Sequence, residues 1–297
     1  MKVFHALDEY SASCGTVLVM GMFDGLHMGH RALFNKSNEI KNENPVTVIT
    51  FSGVFEEGKK ALFTYDEKAA ALEKIGADFA VFIPVDEKLK NTSPDEFIAE
   101  LKKHIKIEAV VVGFDFTFGK GAKGDADTLK QAFKHVYVVD KVEIGGEKVS
   151  SSKLREFVKD GNMENYLRFC SVPYSVSGKV ERGRGVGREN SIPTVNISVD
   201  KAKLVPKCGV YATKVKIGKD SFISVSNLGT APTFGREHSV LETHILDYNG
   251  ELYGKYIEVA FFKLVRPVKK FENAKCLYSQ IDKDIEFTAS YFRGLQL

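Results

Sequence analysis

The hydrophobic rhythm of this chain changes near residue 170, which limits each half to a different class of fold. Before it, short apolar runs at 16–22, 46–51, 78–83, 109–112 and 136–140 alternate with helix-like stretches at 31–40, 66–75, 94–104 and 126–133. Within 66–75, Ala69, Leu72 and Ile75 recur at helical spacing. Ser93-Pro94-Asp95-Glu96 supplies an N-cap, a proline at the first helical position and acids in the first turn. Near-continuous apolar strands separated by helices predict an α/β domain built on a parallel sheet. Beyond residue 170, the runs at 174–180, 194–198, 210–217, 221–227, 240–246 and 256–265 are separated by turn residues such as Gly218-Lys219-Asp220 and Tyr248-Asn249-Gly250. Six such runs predict a small antiparallel β-barrel. Ala274, Leu277, Ile281 and Ile285 fall on one face and predict a terminal helix. The expected domains are 1–170 and 171–297, which suits 297 residues at ~100–200 residues per domain.

Composition narrows the function classes. The 42 Lys+Arg and 39 Asp+Glu leave a net charge of only +3, with no long basic run, so a nucleic-acid partner is not expected. The apolar runs are far short of the ~20 residues that a membrane helix needs, and 1–10 carries Asp8 and Glu9 rather than a signal-peptide core. Cys14, Cys170, Cys208 and Cys276 are scattered without metal spacing, as expected of reduced thiols in a cytoplasmic protein. Anionic partners should therefore be small molecules held locally.

The first strand runs directly into Gly21-Met22-Phe23-Asp24-Gly25-Leu26-His27-Met28-Gly29-His30, which opens the first helix. In an open α/β sheet, ligands bind at the carboxyl ends of strands. The glycines permit close backbone approach, and the new helix offers free N–H groups and a positive dipole end to phosphate. His27 and His30 are three apart and share a helix face, where two imidazoles can donate to phosphate oxygens as charge develops. A satisfied structural role is the competing reading for each histidine, and a zinc site would need a third ligand that the spacing does not supply. In the second half, 178–188 is a glycine–arginine loop between strands, able to wrap phosphates through backbone N–H groups or to serve as a plain turn.

The 21–30 string resembles the H-x-G-H signature of nucleotidyltransferases, in the longer form found in bacterial FAD synthetases. The 110–119 segment, Val-Val-Val-Gly-Phe-Asp-Phe-Thr-Phe-Gly, resembles the flavin-side stretch of that family, and Val149-Ser150-Ser151-Ser152-Lys153-Leu154-Arg155 its I-S-S-T-x-x-R motif. Pro193-Thr194-Val195-Asn196 resembles the P-T-A-N motif of riboflavin kinases, Ser226-Asn227-Leu228-Gly229 opens a similar S-N-I-G loop, and Glu242-Thr243-His244 begins a similar E-x-H-x-L-D strand. These motifs come from both halves, in order.

The resemblance implies a bacterial bifunctional riboflavin kinase/FMN adenylyltransferase: a Rossmann-like nucleotidyltransferase domain followed by a riboflavin kinase barrel. It would use MgATP to convert riboflavin to FMN and FMN to FAD. By the same resemblance, His27, His30 and Arg155 carry adenylyl transfer. Gly21, Phe23, Asp24, Gly25, Ser151 and Ser152 bind its ATP, and Asp115, Phe116 and Phe118 its flavin. In the kinase half, Gly183, Gly185 and Gly187 bind ATP, Thr194 and Asn196 hold Mg²⁺, Glu242 is the catalytic base, and Asn227 and Arg266 lie on the flavin. A salt bridge is the alternative for Arg266. The chain departs from the family after the second strand, where Thr50-Phe51-Ser52-Gly53-Val54-Phe55 lacks the family's P-H-P. That departure leaves two alternatives: retention of the kinase activity alone, or a non-catalytic flavin- or nucleotide-binding regulator.

Overall fold

A computed structural model describes residues 1–53, 58, 60–170, 172–181, 194–233 and 236–295, with the backbone alone for 230–233 and 236–239. The chain divides into two compact units, Met1–Ser151 and Ser152–Leu297.

The first unit runs β1 (Lys2–Phe4), β2 (Thr16–Met20), α1 (Met28–Ile40), β3 (Val46–Ser52), α2 (Tyr65–Ile75), β4 (Phe79–Pro84), α3 (Glu87–Asn91), α4 (Pro94–His104), β5 (Ile107–Gly113), α5 (Ala126–Ala132), β6 (Val136–Val139), and a hairpin of β7 (Glu143–Ile144) and β8 (Glu147–Lys148). The main sheet has the order β1-β4-β3-β2-β5-β6 and every pairing is parallel. Both faces are covered, which is why the strands read as unbroken apolar runs. Leu18, Met20, Val110 and Val112 pack on one side with Phe97 and Leu101 of α4. Val17, Val19, Val48 and Val111 pack on the other with Leu33 and Phe34 of α1 and Leu72 of α2. Burying each such side chain stabilises the fold by about 1.5–3 kcal/mol. Capping boxes at Thr64/Glu67 and Ser93/Glu96 set the starts of α2 and α4, each contributing about 1 kcal/mol.

The expected strands and helices are present, with end points displaced by a few residues. The three-residue β1, the five-residue α3 and the β7–β8 hairpin add to these, and elements this short carry no readable period in the sequence.

The strand order reverses direction beside β2, since β3 and β4 lie to one side and β5 and β6 to the other. The carboxyl ends of β2 and β5 therefore flank a topological switch point, where a parallel sheet leaves a crevice.

The second unit holds α6 (Ser151–Asp160), α7 (Met163–Cys170), β9 (Tyr174–Glu181), β10 (Thr194–Ser198), β11 (Gly209–Ile217), β12 (Asp220–Thr233), β13 (Arg236–Ile245), β14 (Tyr256–Pro267) and α8 (Ala274–Gly294). The strands close into a barrel in the order β10-β13-β12-β11-β14-β9, all antiparallel. The contact boundary at 151/152 lies ahead of the 170/171 division expected from hydrophobic rhythm. The cause is α7, which packs on β9 and β14: Tyr166 meets Tyr174 edge-on at 5.2 Å, and Glu164 pairs with Lys263 at 2.7 Å.

Inside the barrel, the hydroxyls of Thr213, Ser224, Ser226 and Thr243 form a fully buried chain with links of 2.8 Å. These polar groups are thus satisfied in an otherwise dry interior. Helix α8 covers the outer face, where Phe292 meets Phe262 edge-on at 5.0 Å above Ala212.

Candidate active sites

The first site lies at the switch point of the parallel sheet. A cleft of about 830 Å³ is lined there by Gly21 and Met22 after β2, His27, Gly29 and His30 at the start of α1, residues 113–119 after β5, and Lys148 to Ser151. Of the residues expected around ATP and flavin, the structure thus brings together Gly21, His27, His30, Asp115, Phe116, Phe118 and Ser151. The rings of Phe116 and Phe118 stack at 5.7 Å and 22°.

Local sequence explains the turn into α1. Phe23, Gly25 and Leu26 have φ of 48°, 91° and 35°, left-handed conformations that cost free energy for a side chain larger than glycine. Three ties hold the turn. Thr50 Oγ1 donates to the Met22 carbonyl at 3.0 Å, the amides of Leu62 and Phe63 donate to the Asp24 carboxylate at 3.2 and 3.0 Å, and Ser151 Oγ donates to the Asp24 carbonyl at 2.7 Å. The Phe23 ring is fully buried against Phe34. Phe23, Asp24 and Gly25 therefore support the cleft from beneath and are not among its lining residues. The Asp24 carboxylate and Ser151 hydroxyl, expected on ATP, are engaged within the protein.

His27 is the N-cap of α1, and its Nδ1 accepts the His30 amide at 3.2 Å. The neutral tautomer then carries its proton on Nε2, leaving that nitrogen as a donor. The two imidazoles stack at 3.7 Å with 13° between planes, and His30 also meets Phe23 at 5.0 Å. A Cβ at residue 29 would sit 3.0 Å from His27 Nδ1, so the glycine in this motif keeps room for the ring.

Burial lowers the His27 pKa to about 4, and burial together with neighbouring His27 and Lys68 holds His30 well below the usual imidazole range. Both are neutral donors at pH 7. The unfolded chain binds these protons near pH 6.5 and the folded chain does not, so stability is intact above 6.5 and declines as pH falls toward 4. His27 alone should remove about 2 kcal/mol of stability at pH 5. Urea unfolding of the full chain at pH 7 and pH 5 checks this: His27→Asn, which keeps a good N-cap, should lose less stability than the unsubstituted chain over that interval. Equal losses would refute it.

Ser152 and Arg155 lie on α6 in the second unit, with Ser152 exposed and Arg155 partly buried. That unit carries the second candidate site on the outer face of its barrel. In register, Asn196 of β10 pairs with Glu242 of β13, which pairs with Asn227 of β12. Directly paired residues of antiparallel strands share a face. Three expected residues thus form one row, opposite in sense to the interior Ser226 and Thr243. Thr194 shares the Asn196 face and pairs with His244. Glu242 and Asn227 are exposed, open to a ligand. The hydroxyl of Thr194 and the amide oxygen of Asn196 are hard donors, a set that fits Mg²⁺ held jointly with substrate phosphates.

Arg266 is placed differently. Its guanidinium grips the buried Asp284 of α8, with Nε at 3.1 and 3.0 Å and Nη2 at 2.9 Å, and Gln280 donates to the same carboxylate at 3.0 Å. The structure thus uses this arginine to fasten α8 to β14, the salt-bridge alternative, which a register count alone could not rank. Gly183, Gly185 and Gly187 lie outside the described residues, as do Val54 and Phe55 of the stretch lacking P-H-P.

Comparison with known proteins matches two families in order. The FAD synthetase family model matches residues 9–153 and the riboflavin kinase family model residues 170–292. The chain is 32% identical over 313 residues to the bifunctional riboflavin kinase/FMN adenylyltransferase of Escherichia coli K12, covering 99% of each. It is 30% identical to the protein of the same name from Listeria monocytogenes, covering 97% of this chain and 96% of that one. Among solved structures, a Streptococcus pneumoniae protein described as a macrolide-efflux protein superposes with a TM-score of 0.90 at 28% identity, covering 97% of this chain and 98% of that one. Among the described residues of the present chain, no helix is long and apolar enough to cross a membrane.

Proposed function

The chain belongs to the family of bifunctional riboflavin kinase/FMN adenylyltransferases, and from that premise we propose how its own residues divide the two reactions. It phosphorylates riboflavin to FMN and adenylylates FMN to FAD, with ATP as co-substrate in both. Both family models and full-length relatives favour this over retention of a single activity or a purely binding role.

In the adenylyltransferase cleft, a phosphate oxygen of FMN attacks the α-phosphorus of ATP. One P–O bond forms, the bond to the β-phosphate bridge breaks, and pyrophosphate leaves. No protein nucleophile enters, so the protein contributes positioning and charge stabilisation. His27, through Nε2–H, and His30 donate to phosphate oxygens at the amino end of α1, with Arg155 as an additional charge. Gly21 and Ser151 line the cleft and present backbone to the nucleotide, the tied turn of Phe23, Asp24 and Gly25 supports them, and Ser152 is assigned to the same ATP by the family resemblance alone. Asp115, Phe116 and Phe118 receive the flavin. The observation that carries this reading is the stacked His27–His30 pair, capping a helix at the switch point and facing the same cleft as Asp115.

On the barrel, Glu242 accepts the proton of the ribityl hydroxyl as its oxygen attacks the γ-phosphorus and ADP leaves. Asn227 orients the flavin, and Gly183, Gly185 and Gly187 bind ATP. Thr194 and Asn196 would hold Mg²⁺ there, which would neutralise phosphate charge. Arg266 contributes to flavin binding while fastened to Asp284 of α8. The functional division falls near residue 170, in keeping with the start of the riboflavin kinase match. Four free thiols and a near-balanced charge support a cytoplasmic enzyme whose partners are small molecules, not nucleic acid or membrane.

Chromatography of a reaction supplied with FMN and MgATP tests the adenylyltransferase half. FAD with stoichiometric pyrophosphate is expected. FMN returned unchanged would sink the adenylyltransferase assignment.

A further inference from the structure

The adenylyl transfer brings a phosphate carrying about −1.5 to −2 charge at neutral pH toward the phosphates of ATP. The two histidines beside it are neutral and can offer only N–H dipoles. Beyond the Arg155 that the family resemblance assigns to this reaction, a cation on the acceptor side would offset that charge, and the described residues lining the cleft include Lys90, Lys141 and Lys148. Lys90 is paired with Glu87 at 2.9 Å and Lys141 with Glu143 at 2.6 Å, both partners outside the cleft lining.

Lys148 is built differently. It closes the β7–β8 hairpin, whose two-residue turn is Gly145-Gly146 with φ of 61° and 81°, the positive pair that a tight hairpin of this twist demands. The amide of Val149 bonds the Val142 carbonyl at 2.9 Å, which fixes where the hairpin leaves Lys148. The ammonium lies 4.5 Å from the centre of the Phe114 ring and 2.7 Å from Asp115 Oδ2. It is half-exposed, and both partners line the cleft. The charges of Asp115 and Lys148 both reach His27, the first favouring its protonation and the second opposing it.

We propose that Lys148 binds the phosphate of the acceptor FMN, exchanging its partner Asp115 for that phosphate when the flavin enters. This rests on the adenylyltransferase reading of the cleft. A phosphate dianion offers the ammonium more charge and more acceptor oxygens than the single exposed carboxylate, and the released Asp115 is then free for the flavin that the family resemblance assigns to it. Riboflavin lacks the phosphate and leaves the ion pair closed. The exchange thus makes the site select FMN over riboflavin at the binding step.

The test compares the full chain with Lys148→Met and Lys148→Arg in adenylyl transfer. Loss of one charge-assisted contact should raise KM for FMN about tenfold to a hundredfold in Lys148→Met. KM for ATP should stay unchanged, and Lys148→Arg should recover most of the loss. Equilibrium dialysis should show weaker FMN binding and unaltered riboflavin binding in the Met variant. Phosphorylation of riboflavin by the same preparations controls for folding. An unchanged KM for FMN, or a rise in KM for ATP of the same size, would overturn the proposal while leaving the adenylyltransferase reading intact. Absence of FAD formation by the unsubstituted chain would instead remove the premise.

Discussion

Replacing His27 with alanine lowers the rate of FAD formation from FMN by about a hundredfold to a thousandfold, the usual effect of deleting one preorganised donor from a charge-stabilising site. Riboflavin phosphorylation by the same protein stays at its original rate. The expectation follows from geometry: the Nδ1 of His27 is committed to the His30 amide, so Nε2 is the donor that the cleft receives. Alanine also removes an N-cap, worth about 1 kcal/mol. His27→Asn separates the two effects, because it restores the cap without the imidazole. If the asparagine variant recovered full adenylyl transfer, the histidine would be a structural cap and the catalytic assignment would fail. Steady-state assays of both reactions on each variant decide the matter.

The second large effect belongs to the barrel. Glu242→Gln should slow riboflavin phosphorylation about a hundredfold to ten-thousandfold, the range for loss of a general base. FAD formation from supplied FMN should be untouched. Glutamine preserves the shape of the side chain that stands in register with Asn196 and Asn227, so a loss reports the missing proton acceptor. An unchanged kcat would show that the carboxylate is only an exposed strand acid.

Much of this was legible in the sequence because periodicity records burial. The odd and even residues of β2 and β5 face different layers of core, and a strand buried on both sides reads as an unbroken apolar run. The barrel was legible from its turns. His27 and His30 were legible because three-residue spacing at a helix start fixes a shared face. Register accounts for the alignment of Asn196, Glu242 and Asn227, but only because the motif resemblance had already singled them out.

Long-range ties were not legible. Nothing local says that Ser151 closes onto the Asp24 carbonyl or that the Asp24 carboxylate caps the amides of Leu62 and Phe63. These side chains hold the turn into α1. Arg266 and Asp284 lie on a strand and a helix whose approach depends on how α8 crosses the barrel. Lys148 had no signal beyond its charge, because a hairpin of two residues per strand has no period.

If one chain carries two consecutive reactions at separate sites, a time course started from riboflavin and excess MgATP, with flavins resolved by chromatography, has a definite order of products. FMN should rise first and then give way to FAD, with pyrophosphate appearing in step with FAD. Accumulation of FMN without FAD, or riboflavin left unconverted while added FMN is adenylylated, would contradict it.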